Sequence, residues 1–280
     1  MSGYQYLYLL SQVPAATSLR GSHVNVAPLV PARQKQVTQA GRALQAVKAV
    51  HSVCHALKEQ AIHFFKISPQ KVSIIYTGVD TALFRPRSSP LPNKPSTFRI
   101  IWVGSLVWIK AVESALTAIA HLRDRGVPVH LTIVGDGPER QRMHYTIMDL
   151  GLEDCVDYVG KKTPNELISR YQESDAFLLS SLGEGVANVA VEAMACGLPV
   201  VTTDVGGMRE AVSDGVEGFV VPFHDAKAMA DALEKLARDP ALRRRMGQAA
   251  RQRALAQFNL ANQQKEYARF FREAFVQASS

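Results

Sequence analysis

Two glutamates, Glu184 and Glu192, stand eight residues apart in the stretch Ser180 to Pro199, with Asn188 midway between them. An apolar run ends there, a glycine-containing loop follows, and a helical pattern begins with Asn188 placed to act as its N-cap. Glu192 then falls about one turn into the helix, roughly 6 Å along its axis. A helix start presents N–H groups and the positive end of the helix dipole, a combination that suits a diphosphate. A carboxylate at Glu192 has two acceptor oxygens, enough for both hydroxyls of a ribose. Glu184, on the other side of that anion site, is within reach of a sugar. A sugar nucleotide laid across the helix N-terminus fits this arrangement. The plainer alternative puts Glu184 in a solvated loop and Glu192 on a helix surface. Against it, Glu192 lies between Val191 and Ala193 in a helix that reads as buried, and a buried carboxylate needs a partner or a ligand.

The elements that must position these residues repeat in type from about Thr97 onward. Short apolar runs occur at 98–103, 129–134, 155–159, 176–179, 199–202 and 218–221. Segments of helical period lie between them, near 110–124, 138–150, 164–172, 188–196, 207–213 and 225–238. Continuous apolar strands alternating with helices predict a parallel sheet covered on both faces, a doubly wound α/β domain. Ligands of such sheets bind beyond the carboxyl ends of the strands. Two more helices are expected near 240–257 and 260–276, the last with an apolar stripe of Tyr267, Phe270, Phe271, Ala274 and Phe275. Upstream, helices near 33–48 and 55–66 and strands at 49–53 and 72–76 are expected. The segment 85–96, with four prolines and three serines, reads as a linker.

Composition narrows the class. The chain has 280 residues, 47% of them hydrophobic and 20% charged, which suits a packed core rather than disorder. No run approaches the roughly 18 apolar residues of a membrane span, and the start lacks the pattern of a signal peptide. The three cysteines read as buried thiols and point to a reducing, cytoplasmic setting. A net charge of +7 suits anionic ligands, and no basic–aromatic interleaving or motif for nucleic acid is present. Arg243 to Arg245 read as a solvated helix face, with a peripheral contact to the inner face of the cell membrane as the sharper alternative. Asp136 reads as a loop residue capping the following helix. No Asp-x-Asp and no His/Cys cluster suggests a metal site.

The residues from Glu184 to Pro199 resemble the signature of the family 4, group 1 glycosyltransferases, whose E-x(7)-E motif is followed by Ala-Met-Ala-x-Gly-x-Pro-Val. The likeness continues through Thr203 to Gly207 and Gly215 to Pro222. Upstream it includes Val103-Gly104-Ser105-Leu106-Val107-Trp108-Ile109-Lys110, Val134 to Glu139, Tyr158 to Gly160, and the connector Tyr76 to Asp80 through Phe84 to Pro86. The resemblance implies a GT-B fold: a Rossmann-like donor domain at 97–258, a linker at 85–96, a remnant of an acceptor-side α/β domain at 1–84, and a helix at 259–280 returning to that remnant. It implies retaining transfer from a UDP- or GDP-sugar to a glycan or lipid-linked acceptor, with no cofactor and no metal. Glu184 would lie against the donor sugar, Lys110 would neutralise the leaving diphosphate, and these two would carry the catalysis. Glu192 would hold the ribose. Gly104, Ser105 and the stretch Val186, Ala187, Asn188, Val189 would contact the sugar and diphosphate, and Lys161 with Lys162 would line the base pocket. Without the resemblance, Lys110 is one more lysine; its place just past a strand end raises it.

Two departures from the family pattern stand out. Ser105 occupies a position usually held by Arg, which removes one cation, and Ala111 replaces a usual Gly. The segment 16–23 resembles a late strand and loop of the acceptor-side domain, which makes Arg20 and His23 the candidates on that side. The earlier strands of that domain find no counterpart here. A fragment, a mis-started reading frame and a degenerate copy are the alternatives, and with them a non-catalytic nucleotide-sugar-binding chain or partner subunit. The donor-side sheet is expected to be self-contained, and residues 1–75 are expected to expose an apolar sheet edge.

Overall fold

In a computed structural model of the chain, residues 16–19, 24, 27–88 and 97–275 are described. The apolar runs form strands in two parallel sheets. The smaller sheet holds β1 (Ala16–Leu19), β2 (Ala49–Ser52) and β3 (Val72–Ile74), in that order. The larger holds β4 (Phe98–Val103), β5 (Val129–Val134), β6 (Val156–Tyr158), β7 (Ala176–Leu179), β8 (Val200–Thr203) and β9 (Gly218–Val221). Their spatial order is β6-β5-β4-β7-β8-β9, and every pairing is parallel. The order reverses between β4 and β7, the crevice where doubly wound sheets take their ligands.

The helices are α1 (Gln34–Ala46), α2 (His55–Phe65), α3 (Val112–Asp124), α4 (Arg140–Asp149), α5 (Pro164–Glu173), α6 (Asn188–Ala195), α7 (Met208–Ala211), α8 (Ala226–Arg238), α9 (Pro240–Gln257) and α10 (Leu260–Phe275). They cover both faces of the larger sheet, and the period-2 alternation of β4 shows how. Phe98, Ile100 and Trp102 enter a core with α3 and α8, whereas Ile101 and Val103 enter a second core with α6 and α9. That second core continues without a break into Val50, Leu57 and Phe65 of the smaller unit. On this face the larger sheet therefore shares its core with the smaller unit.

Several connections lock the two sheets together. Val79 donates its N–H to Phe258 O (2.8 Å) and accepts from Leu260 N (3.0 Å), so the two chain crossings run side by side. At Gly78 a Cβ would lie 2.8 Å from both Leu260 Cα and Gln263 Cβ, so this approach requires glycine. Helix α10 then returns over the smaller sheet, with the Tyr267 ring 5.0 Å and the Phe270 ring 6.4 Å from His51. Arg251 of α9 donates to the carbonyls of Thr81, Phe84 and Ala195, tying the connector to the end of α6.

The most specific link is Glu210 of α7. Its Oε2 accepts from His55 N at 2.9 Å, its Oε1 from Ala56 N at 3.0 Å, and Tyr76 Oη donates to Oε2 at 2.9 Å. A carboxylate from the larger unit thus caps the N-terminus of α2 in the smaller one, where the helix dipole favours it. Burial, together with this carboxylate, pushes the Tyr76 phenol up to about 12. Local sequence does not reveal this cap, since its acceptor lies 155 residues from His55.

Local expectations needed correction at three points. Asp136 caps no helix: its Oδ1 accepts from the adjacent Gly137 N at 2.8 Å, and α4 starts later, after Glu139. Arg243 is not part of a solvated face; its guanidinium lies 5.4 Å from the Phe98 ring centroid and 3.9 Å from Asp175. Arg244 and Arg245 are exposed, as expected of a solvated face. The helix expected from 110 begins only at Val112, because a 3-10 turn at 108–110 ends in Ala111 with a left-handed backbone. The three cysteines are buried free thiols, and no described helix is long and apolar enough to cross a membrane.

Glu210→Ala should lower unfolding stability by about 1–2 kcal/mol, because two N–H groups of α2 and the Tyr76 hydroxyl lose their acceptor. Urea unfolding followed by circular dichroism checks this; an unchanged midpoint would show that water replaces the carboxylate at no cost.

Candidate functional site

A cleft of about 520 Å³ opens at the switch point, between the loops that leave β4 and β7. The β4 side contributes Gly104, Ser105 and Lys110. The β7 side contributes Glu184, then Val186 and Ala187, and the cleft floor continues into Asn188 and Val189 at the start of α6. Eight of the site residues expected from sequence therefore come together here. Glu192 lies one turn deeper along α6, half-buried, on the face that Asn188 shares by its i, i+4 spacing. Lys161 is exposed in the loop after β6 and does not line this cleft. Arg20 and His23 lie outside the described residues.

At the centre of the cleft Lys110 Nζ and Glu184 Oε1 form an ion pair at 2.5 Å. Their side chains are 22% and 10% exposed, so the charges are held mostly out of water, where a lost partner is costly. Buried hydroxyls hold both ends. Ser181 Oγ donates to the same Glu184 Oε1 at 2.6 Å, and Thr203 Oγ1 donates to Ser181 O at 2.6 Å. On the lysine side, Trp102 Nε1 donates to Ser180 Oγ at 3.1 Å, which donates in turn to the Lys110 carbonyl at 2.9 Å. Behind the glutamate loop sits Gly206, with φ +54°, where a Cβ would meet Glu184 O at 1.8 Å. The loop after β8 can press on the loop after β7 only because this residue is glycine.

Helix α6 points its N-terminus into this space. Asn188 is not its cap: Ala187 takes the cap position with no side-chain bond, and Asn188 is the first helical residue. The Asn188 Oδ1 instead accepts from Thr77 Oγ1 at 2.6 Å, across the connector. The first turn of α6 thus directs its N–H groups and dipole at the cleft, with no side-chain cap among the described residues. Glu192 accepts from Tyr171 Oη at 3.1 Å, and burial raises its carboxyl above the usual range.

Sequence reasoning passed over Ser180, Ser181, Thr77, Val53 and Gln263. The last three line the cleft from the connector, from the end of β2 and from α10. Ser180 and Ser181 stood inside the key motif, and two hydroxyls next to a strand end were the available signal. Gln263 had none, since only the return of α10 brings it to the site.

Ala111, the residue that ends the 3-10 turn carrying Lys110, has φ +44° and ψ +51°. This conformation costs an L-residue about 1–2 kcal/mol, against about 0.8 kcal/mol gained by burying one methyl. Ala111→Gly should therefore stabilise the protein by about 0.5–1 kcal/mol, read as a higher urea midpoint at unchanged slope. A lower midpoint would show that the methyl packing outweighs the strain.

Comparison with known proteins follows the same lines. Residues 84–253 match the family described as glycosyl transferases group 1. A D-inositol 3-phosphate glycosyltransferase of Streptomyces bingchenggensis is 30% identical over 207 residues, covering 69% of this chain and 46% of that one. The chain spans about half the length of the curated relatives it matches. Among solved structures, sucrose-phosphate synthase of Thermosynechococcus elongatus superposes with a TM-score of 0.85 at 24% identity, over 99% of this chain and 72% of the other. Anabaena Alr3699/HepE, solved in complex with UDP-glucose, gives a TM-score of 0.83 at 21% identity, over 96% of this chain and 77% of the other. These neighbours share the GT-B arrangement of parallel α/β units expected from the sequence. With the family matched over more than half of its residues, the chain belongs to the group 1 glycosyl transferases.

Proposed function

We propose that the chain binds a nucleoside diphosphate sugar in the switch-point cleft and transfers its glycosyl group, with retention, to a glycan or lipid-linked acceptor. The observation that carries this reading is the convergence of one cation, one carboxylate and an uncapped helix N-terminus on the same 520 Å³ cleft. The neighbour solved with UDP-glucose supports a UDP-sugar as donor, with a GDP-sugar as the alternative.

The diphosphate lies across the N-terminus of α6, its charge met by N–H groups, the helix dipole and Lys110. Its arrival draws Lys110 from Glu184 into a shared interaction, which leaves the carboxylate facing the sugar. As the bond between the anomeric carbon and the phosphate oxygen breaks, negative charge grows on the phosphate and positive charge on the ring. Lys110 stabilises the first and Glu184 the second, and because both are already placed they need little reorganisation. The acceptor hydroxyl attacks from the same face, its oxygen bonds to the anomeric carbon, and its proton passes to the departing phosphate. No cofactor and no metal has a role in this scheme. Ser105 adds one hydroxyl but no charge, so Lys110 carries more of the electrostatic load.

Calorimetric titration of the full chain with UDP, GDP and ADP tests the reading. One nucleotide should bind, and Lys110→Ala should weaken it by about tenfold or more, the loss of one charge-assisted contact. Glu184→Gln should leave nucleotide affinity within about threefold while turnover of the donor falls by about a hundredfold, the usual cost of one transition-state charge contact. Binding without any turnover would favour a binding-only chain; no binding by the folded protein would overturn the donor-site reading.

A further inference from the structure

Tyr171 is one of the largest fully buried side chains, and the scheme above gives it no task. It sits near the end of α5, with its ring packed edge-on against Phe84 (centroids 6.3 Å apart) and Phe177 (6.2 Å). Ring packing alone would be served as well by phenylalanine, and a buried hydroxyl without acceptors is costly. Here the hydroxyl has two acceptors, both on α6: Glu192 Oε2 at 3.1 Å and Val189 O at 3.1 Å. Burial and the adjacent carboxylate raise the phenol well above its ordinary range, so Tyr171 remains a donor.

The partner of this bond is the carboxylate assigned to the ribose. A glutamate side chain gives up rotamer freedom when it is fixed. A donor locked between two aromatic rings meets that cost before any ligand arrives, which is preorganisation. With Oε2 anchored by one bond, Oε1 and the remaining lone pair of Oε2 stay available to hydroxyls. The helix brings this group to the ligand side, since Asn188, four residues earlier, lines the cleft. The same hydroxyl, by also touching the carbonyl of Val189, ties the first turn of α6 to the orientation of Glu192.

We infer that Tyr171 is a positioning residue, which fixes the Glu192 carboxylate for recognition of a vicinal diol on the ligand, the ribose 2′- and 3′-hydroxyls of a nucleoside diphosphate. The inference rests on the donor-site reading and adds to it the group that sets its selectivity for ribose.

The test compares UDP and GDP with their 2′,3′-dideoxy analogues by calorimetry, on the full wild-type chain, Tyr171→Phe, Glu192→Gln and the double variant. The wild type should prefer the ribonucleotide by about tenfold or more, the contribution of hydrogen bonds to a charged acceptor. Tyr171→Phe should bring that ratio to about threefold or less while leaving dideoxynucleotide affinity nearly unchanged. Glu192→Gln should also lose the preference, and adding Tyr171→Phe to it should change nothing further. If Tyr171→Phe keeps the wild-type ratio, or weakens both ligands equally, Tyr171 has a structural role only and the inference falls while the donor site stands. A Tyr171→Phe chain that does not fold overturns a role confined to positioning. A wild type that binds nucleotide without preferring ribose removes both the role of Glu192 and this inference.

Discussion

The contact between Lys110 and Glu184 joins residues 74 positions apart, and much of the structure serves to make it. Each lies in a loop that follows a strand on one side of the reversal in sheet order, β4 for the lysine and β7 for the glutamate. Parallel neighbours whose connections leave toward opposite faces must open a gap beyond their ends, and opposite charges can meet across it. Bringing two charges into a mostly dry crevice is unfavourable unless their remaining hydrogen-bonding capacity is met. The Ser181 hydroxyl meets part of that need at Glu184, while Ser180 and Thr203 hold the Lys110 and Ser181 backbone carbonyls, so all three hydroxyls at the ends of β7 and β8 are buried with a partner.

The second constraint is the seam between the two sheets. One apolar core runs from β2 and α2 through α6 to α9, so the smaller unit leans on the wall that carries the cleft. The polar complement of that seam is Glu210, which caps α2 from the far side. Val53 lines the cleft from the residue after β2, while Thr77 and Gln263 line it from the connector and α10. The floor of the cleft is therefore built by the larger sheet, but its walls are shared. The position of the smaller unit and the shape of the cleft are coupled through these contacts.

Much of this was legible in the sequence because the signals were local. The continuous apolar runs at 98–103 and 129–134 became β4 and β5 residue for residue, since strands buried on both faces advertise themselves by composition. The E-x(7)-E stretch placed Glu184 and Asn188 on a loop and a helix start, and the structure gathers them with Lys110. What stayed hidden depends on distance in sequence. Glu210 gives no local signal, and only the fold brings it against His55 and Ala56. Asn188 reads as a cap until its bond with Thr77 shows otherwise, and nothing local marks Tyr171 as the partner of Glu192. Ala111 is a case of the opposite kind: its left-handed backbone is set by the turn that presents Lys110, and only the family pattern hinted that glycine would suit it.

The central claim is that the cleft at the switch point receives a diphosphate between Lys110 and the N-terminus of α6. The measurement that tests it most directly is a crystal structure of the chain with a bound nucleoside diphosphate. The account predicts phosphate oxygens within about 3 Å of Lys110 Nζ and of the first N–H groups of α6, the separation of a charge-assisted hydrogen bond. A nucleotide seated elsewhere, with the ion pair between Lys110 and Glu184 closed and the start of α6 untouched, would contradict it.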